Sequence, residues 1–86
     1  MSDLKNRAAS VSDQASLAEF VKELADEFTK NPDGWENGDL ESFLRSMSSW
    51  IEDMDGYYKN TGQHYDEKHI SWRNFADILV ASTMYE

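Results

Sequence analysis

One run of apolar side chains constrains the fold of this chain more than any other feature. Between residues 40 and 58, apolar residues recur at spacings of three and four, which aligns side chains along one face of an α-helix. The period continues through Gly56, so the pattern predicts one helix over about residues 40–60, with Asp39 as its N-cap. The members of this run are Leu40, Phe43, Leu44, Met47, Trp50, Ile51, Met54, Tyr57 and Tyr58.

The C-terminal end of this helix has two possible positions. Gly62 can adopt the left-handed conformation that often caps a helix, which favours an end near Asn60. Glycine inside a helix costs about 1 kcal/mol relative to alanine. A kink at Gly56, or an end at Asp55, is therefore the alternative.

Two further segments show the helical period. The first begins at Ser16, which forms a capping box with Glu19 three residues later, and Pro32 stops it near Lys30. It carries Leu17, Phe20, Val21, Leu24 and Phe28. The second follows Ser71, a good N-cap, and its inward residues are expected to be Trp72, Phe75, Ala76, Ile78, Leu79, Val80 and Thr83.

These segments define the expected fold and domain organisation. No segment alternates with a period of two, so no strand is expected. The sequence predicts an all-α protein, a small three-helix bundle with helices at about residues 17–30, 40–60 and 72–85. Residues 16–86 form the single helical domain, and residues 1–15 are expected to be a flexible, mobile N-terminal tail.

The charge of the chain limits its partners. Its 86 residues carry a formal net charge of −9. Residues 13–55 hold 12 acids and three bases, and so carry −9 by themselves. Such a field repels nucleic acid and anionic membranes and attracts basic proteins. We therefore expect no nucleic-acid partner and no membrane partner. The chain also has no cysteine and no signal-peptide pattern, so we expect a cytoplasmic location.

A calcium loop is the first metal site to consider. With Gly56 at the glycine position of such a loop, Asp53 and Asp55 fall on two ligand positions. Ile51 and Gly62 fall on the other two ligand positions, and neither has a side-chain oxygen. The pattern therefore argues against a calcium site.

Other chemistry is also poorly represented. His64 and His69 share a segment with Asp66 and Glu67, but a spacing of five matches no rigid helical pair of zinc ligands. There is no cysteine nucleophile, no G-x-S-x-G elbow, no phosphate-binding glycine loop and no H-E-x-x-H motif. We expect no catalytic residue, no metal, no cofactor and no enzyme activity.

The residues after Trp50 favour protein binding instead. Aromatic side chains give desolvated anchors, and carboxylates accelerate encounter with a basic surface. Trp50 and Trp72 themselves are expected to be packed. The candidate partner-binding residues are Glu52, Asp53, Asp55, Tyr57 and Tyr58.

Three motifs resemble a family of short bacterial domains of unknown function. They are W-E-N-x-x-L-x-x-F-L from Trp35, W-I-E-D-M-D-G-Y-Y-K-N from Trp50 and S-W-R-N-F-A-D-I-L-V-A-S-T-M-Y-E from Ser71. The likeness covers about residues 16–86 and implies no activity or catalytic residue. Colicin-type DNase immunity proteins are also small, acidic and helical and dock a tyrosine pair on a basic nuclease, but the sequence around their pair differs.

The leading functional hypothesis is a small acidic binding protein that neutralises or regulates a basic protein partner, such as a toxin domain. An immunity protein or antitoxin is its most specific form. The alternative is a structural or adaptor domain that acts through homo-oligomerisation or assembly into a larger complex. The expected oligomeric state is a monomer or a weak homodimer.

Overall fold

The structure is a bundle of four helices. The computed structural model describes residues 2–85, with side chains from Leu4 onward. The helices are α1 (Ser2–Ala8), α2 (Gln14–Lys30), α3 (Leu40–Asn60) and α4 (Trp72–Ser82), and a short 3₁₀ turn spans Pro32–Gly34. Residues 2–85 contain no strand. The expected all-α bundle is confirmed, with one helix more than the sequence predicted.

Helix α4 is the centre of the bundle. It packs against α1, α2 and α3, whereas among the described residues the backbones of α2 and α3 make no contact. Helix α3 runs antiparallel to α4, because Ser46 near its start bonds to Tyr85 and Tyr58 near its end bonds to Asp77. The fold is therefore held together by the two sides of one helix.

Each side of α4 has its own buried cluster. The first, which we call the α1–α2 cluster, consists of Leu4, Ala8, Val11, Phe20, Leu24, Ala76 and Val80. The second, which we call the α3 cluster, consists of Trp50, Met54, Tyr58 and Ile78. Trp35 lies between α2 and α3, with ring centroids 5.0 Å from Phe28 and 6.0 Å from Phe43.

The N-terminal segment corrects the sequence analysis. A mobile tail was predicted for residues 1–15, but Ser2–Ala8 form helix α1 and bury Leu4 and Ala8 in the α1–α2 cluster. With Val11, these side chains follow the helical spacing of four and three. A helix of seven residues is too short to show a sustained period, and its stability comes from packing on α2 and α4.

The start of α2 also differs from the prediction. Asp13, and not Ser16, is the N-cap, so the helix begins at Gln14. Asp13 Oδ1 accepts a hydrogen bond from the Ser16 backbone N–H at 2.8 Å, and Ser16 Oγ accepts one from the Asp13 N–H at 3.1 Å. Ser16 thus belongs to a capping box as its third helical residue, and the Ser16–Glu19 pairing was wrong.

The predicted ends of α3 are confirmed. Asp39 Oδ1 accepts a hydrogen bond from the Ser42 N–H at 2.8 Å, and the helix continues through Gly56 to Asn60. Gly62 has a φ of 70°. The N–H groups of Gly62 and Gln63 donate to the carbonyls of Lys59 and Tyr58, the two bonds of a Schellman cap.

Helix α4 begins as predicted at the Ser71 cap but ends at Ser82 rather than residue 85. The Asn37 side-chain amide donates to the carbonyls of Ser82 at 3.1 Å and Tyr85 at 3.0 Å. The Ser46 hydroxyl donates to the same Tyr85 carbonyl. The chain can leave the helix early because side chains from outside α4 supply these hydrogen bonds.

Several apolar residues predicted to face the core are exposed. On α3, Leu40 is 73% exposed, and Leu44 and Ile51 are also open to solvent. On α4, Trp72 and Phe75 are exposed as well, so the expectation that Trp72 is packed was wrong. The exposure of Leu40, Leu44 and Ile51 follows because α2 does not reach α3 and leaves this flank uncovered. Trp72 and Phe75 instead line an open patch beside Val11.

Candidate functional site

The five predicted partner-binding residues do not form one surface. Tyr58 is only 1% exposed, because it continues the inward face of α3 four residues after Met54. It cannot present a partner contact, and its inclusion in the binding surface was wrong. Tyr57, the adjacent residue, is 38% exposed. Of the two rings, it is therefore the one that can reach a partner.

The three carboxylates of α3 that were predicted to bind a partner point in different directions. Residues of an α-helix are separated by about 100° around its axis. Asp53 and Tyr57, four residues apart, therefore share one side. Glu52 and Asp55, both exposed, lie away from that side. Four of the five predicted residues reach solvent. Of these four, only Asp53 and Tyr57 are neighbours.

Tyr57 lines a groove between α1, α3 and α4, and Asp53 accepts a hydrogen bond from Tyr85, which also lines it. This α1–α3 groove has a volume of about 280 Å³ and is open to solvent. Its rings come from Trp50, Tyr57 and Tyr85, and its charged side chains are Lys5 and Asp77. Val80, Ala81 and Met84 supply the apolar remainder of the lining.

Other aromatic rings pack against Tyr57 and support it on the side away from solvent. The ring centroid of Tyr57 lies 5.6 Å from that of Trp50 and 5.1 Å from that of Tyr58. Tyr58 in turn stacks on Tyr65 at 4.9 Å. Tyr57 is thus an exposed ring on a buried aromatic support, which restricts its rotamers before any partner binds.

Asp77 is the main polar group of the groove. Tyr58 donates its hydroxyl to Asp77 Oδ2 at 2.6 Å. Partial burial raises the pKa of the Asp77 carboxyl, while the bond from Tyr58 and the charges of Arg73 and Lys5 oppose that rise. Burial, followed by the nearby carboxylate, raises the pKa of Tyr58. The hydroxyl therefore stays protonated and holds the carboxylate at the groove.

A second tyrosine–carboxylate pair lies at the rim. The Tyr85 hydroxyl donates to Asp53 Oδ2 at 2.5 Å, joining the end of the α4 segment to the middle of α3. This hydrogen bond is the largest cause that raises the pKa of Tyr85. It fixes Asp53 beside the groove, close to Tyr57.

A match to a known family covers most of this site. Residues 13–86 match a family of unknown function, DUF7660. The chain belongs to this family. Helix α1, with Lys5, lies before the matched span, whereas Trp50, Tyr57, Asp77 and Tyr85 lie inside it. No curated protein matches the chain, and no solved structure does.

Three further observations concern possibilities that the sequence raised. His69 Nδ1 lies 3.0 Å from Asp66 Oδ2, a pairing within one loop. In the part of the chain that the structure describes, no three His, Asp or Glu side chains are grouped to hold a metal ion. None of the helices within residues 2–85 has the length and apolar character needed to cross a membrane.

Sequence reasoning missed Asp77, Lys5 and Tyr85. Asp77 carried a usable signal, since it is a lone charge inside the apolar run F-A-D-I-L-V. A charge at such a position needs a polar partner or access to solvent. Lys5 carried no comparable signal, because its helix was not recognised.

Proposed function

We propose that this protein is a small acidic binding protein of the cytoplasm that neutralises or regulates a basic protein partner, in the manner of an immunity protein or antitoxin. The observation that carries the proposal is the Tyr57 ring. It is exposed, it is backed by Trp50 and Tyr58, and it lies beside the carboxylate of Asp53.

This arrangement supports both affinity and fast association. Supported tyrosines are common binding hot spots because little side-chain freedom is lost when they are buried. The net charge of −9 attracts a basic surface over a distance of about 10 Å at 0.1 M salt. Glu52 and Asp55 contribute to this attraction without contacting the groove.

The proposal is tested with a basic toxin domain encoded beside the gene for this protein. Binding is measured by calorimetry in about 0.15 M salt, where weak nonspecific attraction is largely screened. Tyr57→Ala should raise Kd at least about tenfold, as expected for a hot-spot ring. Co-expression of the protein should also protect cells from the toxin.

A matched pair of variants on α3 locates the contact. Asp53→Asn and Asp55→Asn remove the same charge from the same helix, but only Asp53 lies beside Tyr57. We expect Asp53→Asn to raise Kd several-fold more than Asp55→Asn, because adjacent charges act more strongly than screened distant ones. Absence of binding, or equal effects of the two variants together with an inert Tyr57→Ala, would contradict the proposal.

The exposed apolar side chains of α3 favour a second candidate function. Leu40, Leu44 and Ile51 lie on the flank that α2 leaves open, and contiguous apolar surface marks many assembly sites. A structural or adaptor domain would use this flank for self-association. Sedimentation at two concentrations tests it: a dimer that Leu44→Glu dissociates and Tyr57→Ala does not would favour this candidate.

A further inference from the structure

We propose that the α1–α3 groove is a pocket for a single basic side chain, with Asp77 as its counter-ion and the rings of Trp50 and Tyr57 as its walls. The inference rests on the proposed function for the source of that side chain, a basic protein partner. It adds the chemical group that the partner must present, an arginine guanidinium in preference to a lysine ammonium.

The size and lining of the groove suit such a group. The groove holds about 280 Å³, just below the roughly 300 Å³ at which pockets for drug-sized ligands begin, so it has room for one large side chain. Tyr57 presents an exposed ring, on which a guanidinium stacks more favourably than an ammonium, and Trp50, which is only 7% exposed, lines the groove next to it. Val80 and Met84 offer apolar contacts for the methylene stem.

The carboxylate of Asp77 is prepared for a cation. Among the described residues, Tyr58 is its one hydrogen-bond donor, and it occupies Oδ2. Capacity therefore remains on the carboxylate, including all of Oδ1, for the paired N–H groups of a guanidinium. A partly buried carboxylate gains most from a close positive charge, since burial has already removed part of its hydration.

Two basic side chains near Asp77 compete with an incoming cation for its negative charge. Lys5 reaches the groove from α1, and Arg73 acts on Asp77 from α4 itself. An incoming cation is repelled by the positive charge of Lys5, which lines the same groove. Removal of the Lys5 charge should therefore strengthen binding, while removal of the Asp77 charge should weaken it.

The full chain can be tested without a protein partner. We would titrate it by NMR with the capped tripeptide acetyl-Gly-Arg-Gly-amide and follow the Trp50 indole N–H and the Tyr57 ring. The control peptide replaces arginine by citrulline, which has nearly the same shape and no charge. We expect saturable shifts with Kd on the order of 1 mM for the arginine peptide, a plausible strength for one side chain. The citrulline peptide should give no saturable shift.

Charge-matched variants separate the pocket from the general field of the protein. Asp77→Asn should raise Kd at least about tenfold, whereas Asp26→Asn on the exposed face of α2 should change it less than about twofold. Lys5→Gln should lower Kd about threefold, and Lys22→Gln should leave it nearly unchanged. Tyr57→Ala, at an exposed position, should weaken binding several-fold and serves if Asp77→Asn does not fold.

Several outcomes would overturn the pocket. They are equal effects of Asp77→Asn and Asp26→Asn, equal shifts with the citrulline peptide, and shifts spread over all acidic residues without saturation. Failure of the tripeptide with intact binding of a basic protein would reject the pocket alone. Tripeptide binding without any basic protein partner would reject the proposed function alone.

Discussion

The two sides of helix α4 solve the problem of burial differently. On the side of α1 and α2, the buried side chains are apolar, and three helices enclose them. On the side of α3, the cluster contains Trp50 and Tyr58, and the Tyr58 hydroxyl is bonded to Asp77. The first side needs only complementary shapes, whereas the second also needs polar partners for its buried tips.

This difference has a functional meaning. An apolar cluster closed by three helices contributes stability through side chains that a partner cannot reach. A cluster with only one helix opposite α4 leaves both flanks of α3 open, one with the groove and one with exposed apolar residues. Under the proposed function, stability and recognition would lie on opposite sides of the same helix, and variants on each side should have different consequences.

The largest effect should come from deletion of residues 1–11. This removes Leu4, Ala8 and Val11 from the α1–α2 cluster and uncovers their neighbours. The free energy of unfolding should fall by roughly 3–5 kcal/mol, since each large apolar side chain contributes about 1.5–3 kcal/mol when buried. Urea denaturation followed by circular dichroism measures the loss.

The control for this deletion is Lys5→Gln, an exposed change on the same helix, which should alter stability by less than about 0.5 kcal/mol. If the deletion leaves the urea midpoint unchanged, α1 does not belong to the enclosed side, and the contrast between the two sides of α4 is lost.

A smaller effect is expected on the other side from Tyr58→Phe. The variant keeps the ring and removes the hydroxyl that donates to Asp77, leaving a partly buried carboxylate without that donor. The expected loss is about 2 kcal/mol, the range for hydrogen bonds to charged groups. Tyr57→Phe is the matched control at the exposed neighbouring ring, and equal urea midpoints for the two variants would show that the polar pair does not stabilise this side.

The hydrogen-bonded pair of Tyr58 and Asp77 should also make the stability of the protein fall at alkaline pH. The pKa of Tyr58 is raised in the folded state, so its contribution to stability is complete below the tyrosine value of about 10 in the unfolded chain. That contribution decreases as pH rises above this value, because unfolding then releases a proton. Urea midpoints measured between pH 8 and 11 should fall more steeply for the natural protein than for Tyr58→Phe.

The smallest effects should come from the two glycines near the end of α3, and they should have opposite signs. A Cβ at Gly56 would meet no atom within 4 Å, so Gly56→Ala should stabilise the protein by about 0.5–1 kcal/mol. Gly62 has a φ of 70°, so Gly62→Ala should destabilise it by about 1 kcal/mol. A loss of melting temperature for Gly56→Ala would indicate that the glycine serves a role outside the helix.

Local sequence signals predicted where the helices begin and end better than they predicted which side chains are buried. Asp39, Ser71 and Gly62 act within one helical turn of themselves, so their roles could be recognised from neighbouring residues alone. Exposure of Leu44 and Ile51 depends on whether α2 approaches α3, which is a property of the whole bundle. The helical period contains no information about that distance.

The candidate site shows the same division. Tyr58 follows Trp50 and Met54 at intervals of four, so its burial was readable from the phase of α3. The pairing of Tyr58 with Asp77 was not, because it joins residues 19 positions apart on different helices. Lys5 could not be placed in the groove until α1 was seen to dock on α4.

The position of α4 in the chain has a consequence for synthesis. The three helices that pack on it are all made before it, and within residues 2–85 neither α1 nor α2 has a backbone contact with α3 that could hold the early segments together. Until the ribosome has released residues 72–82, these amphipathic segments expose their apolar faces without their main partner. Folding of this domain should therefore follow its translation, and chaperones have an interval in which to bind the unfinished chain.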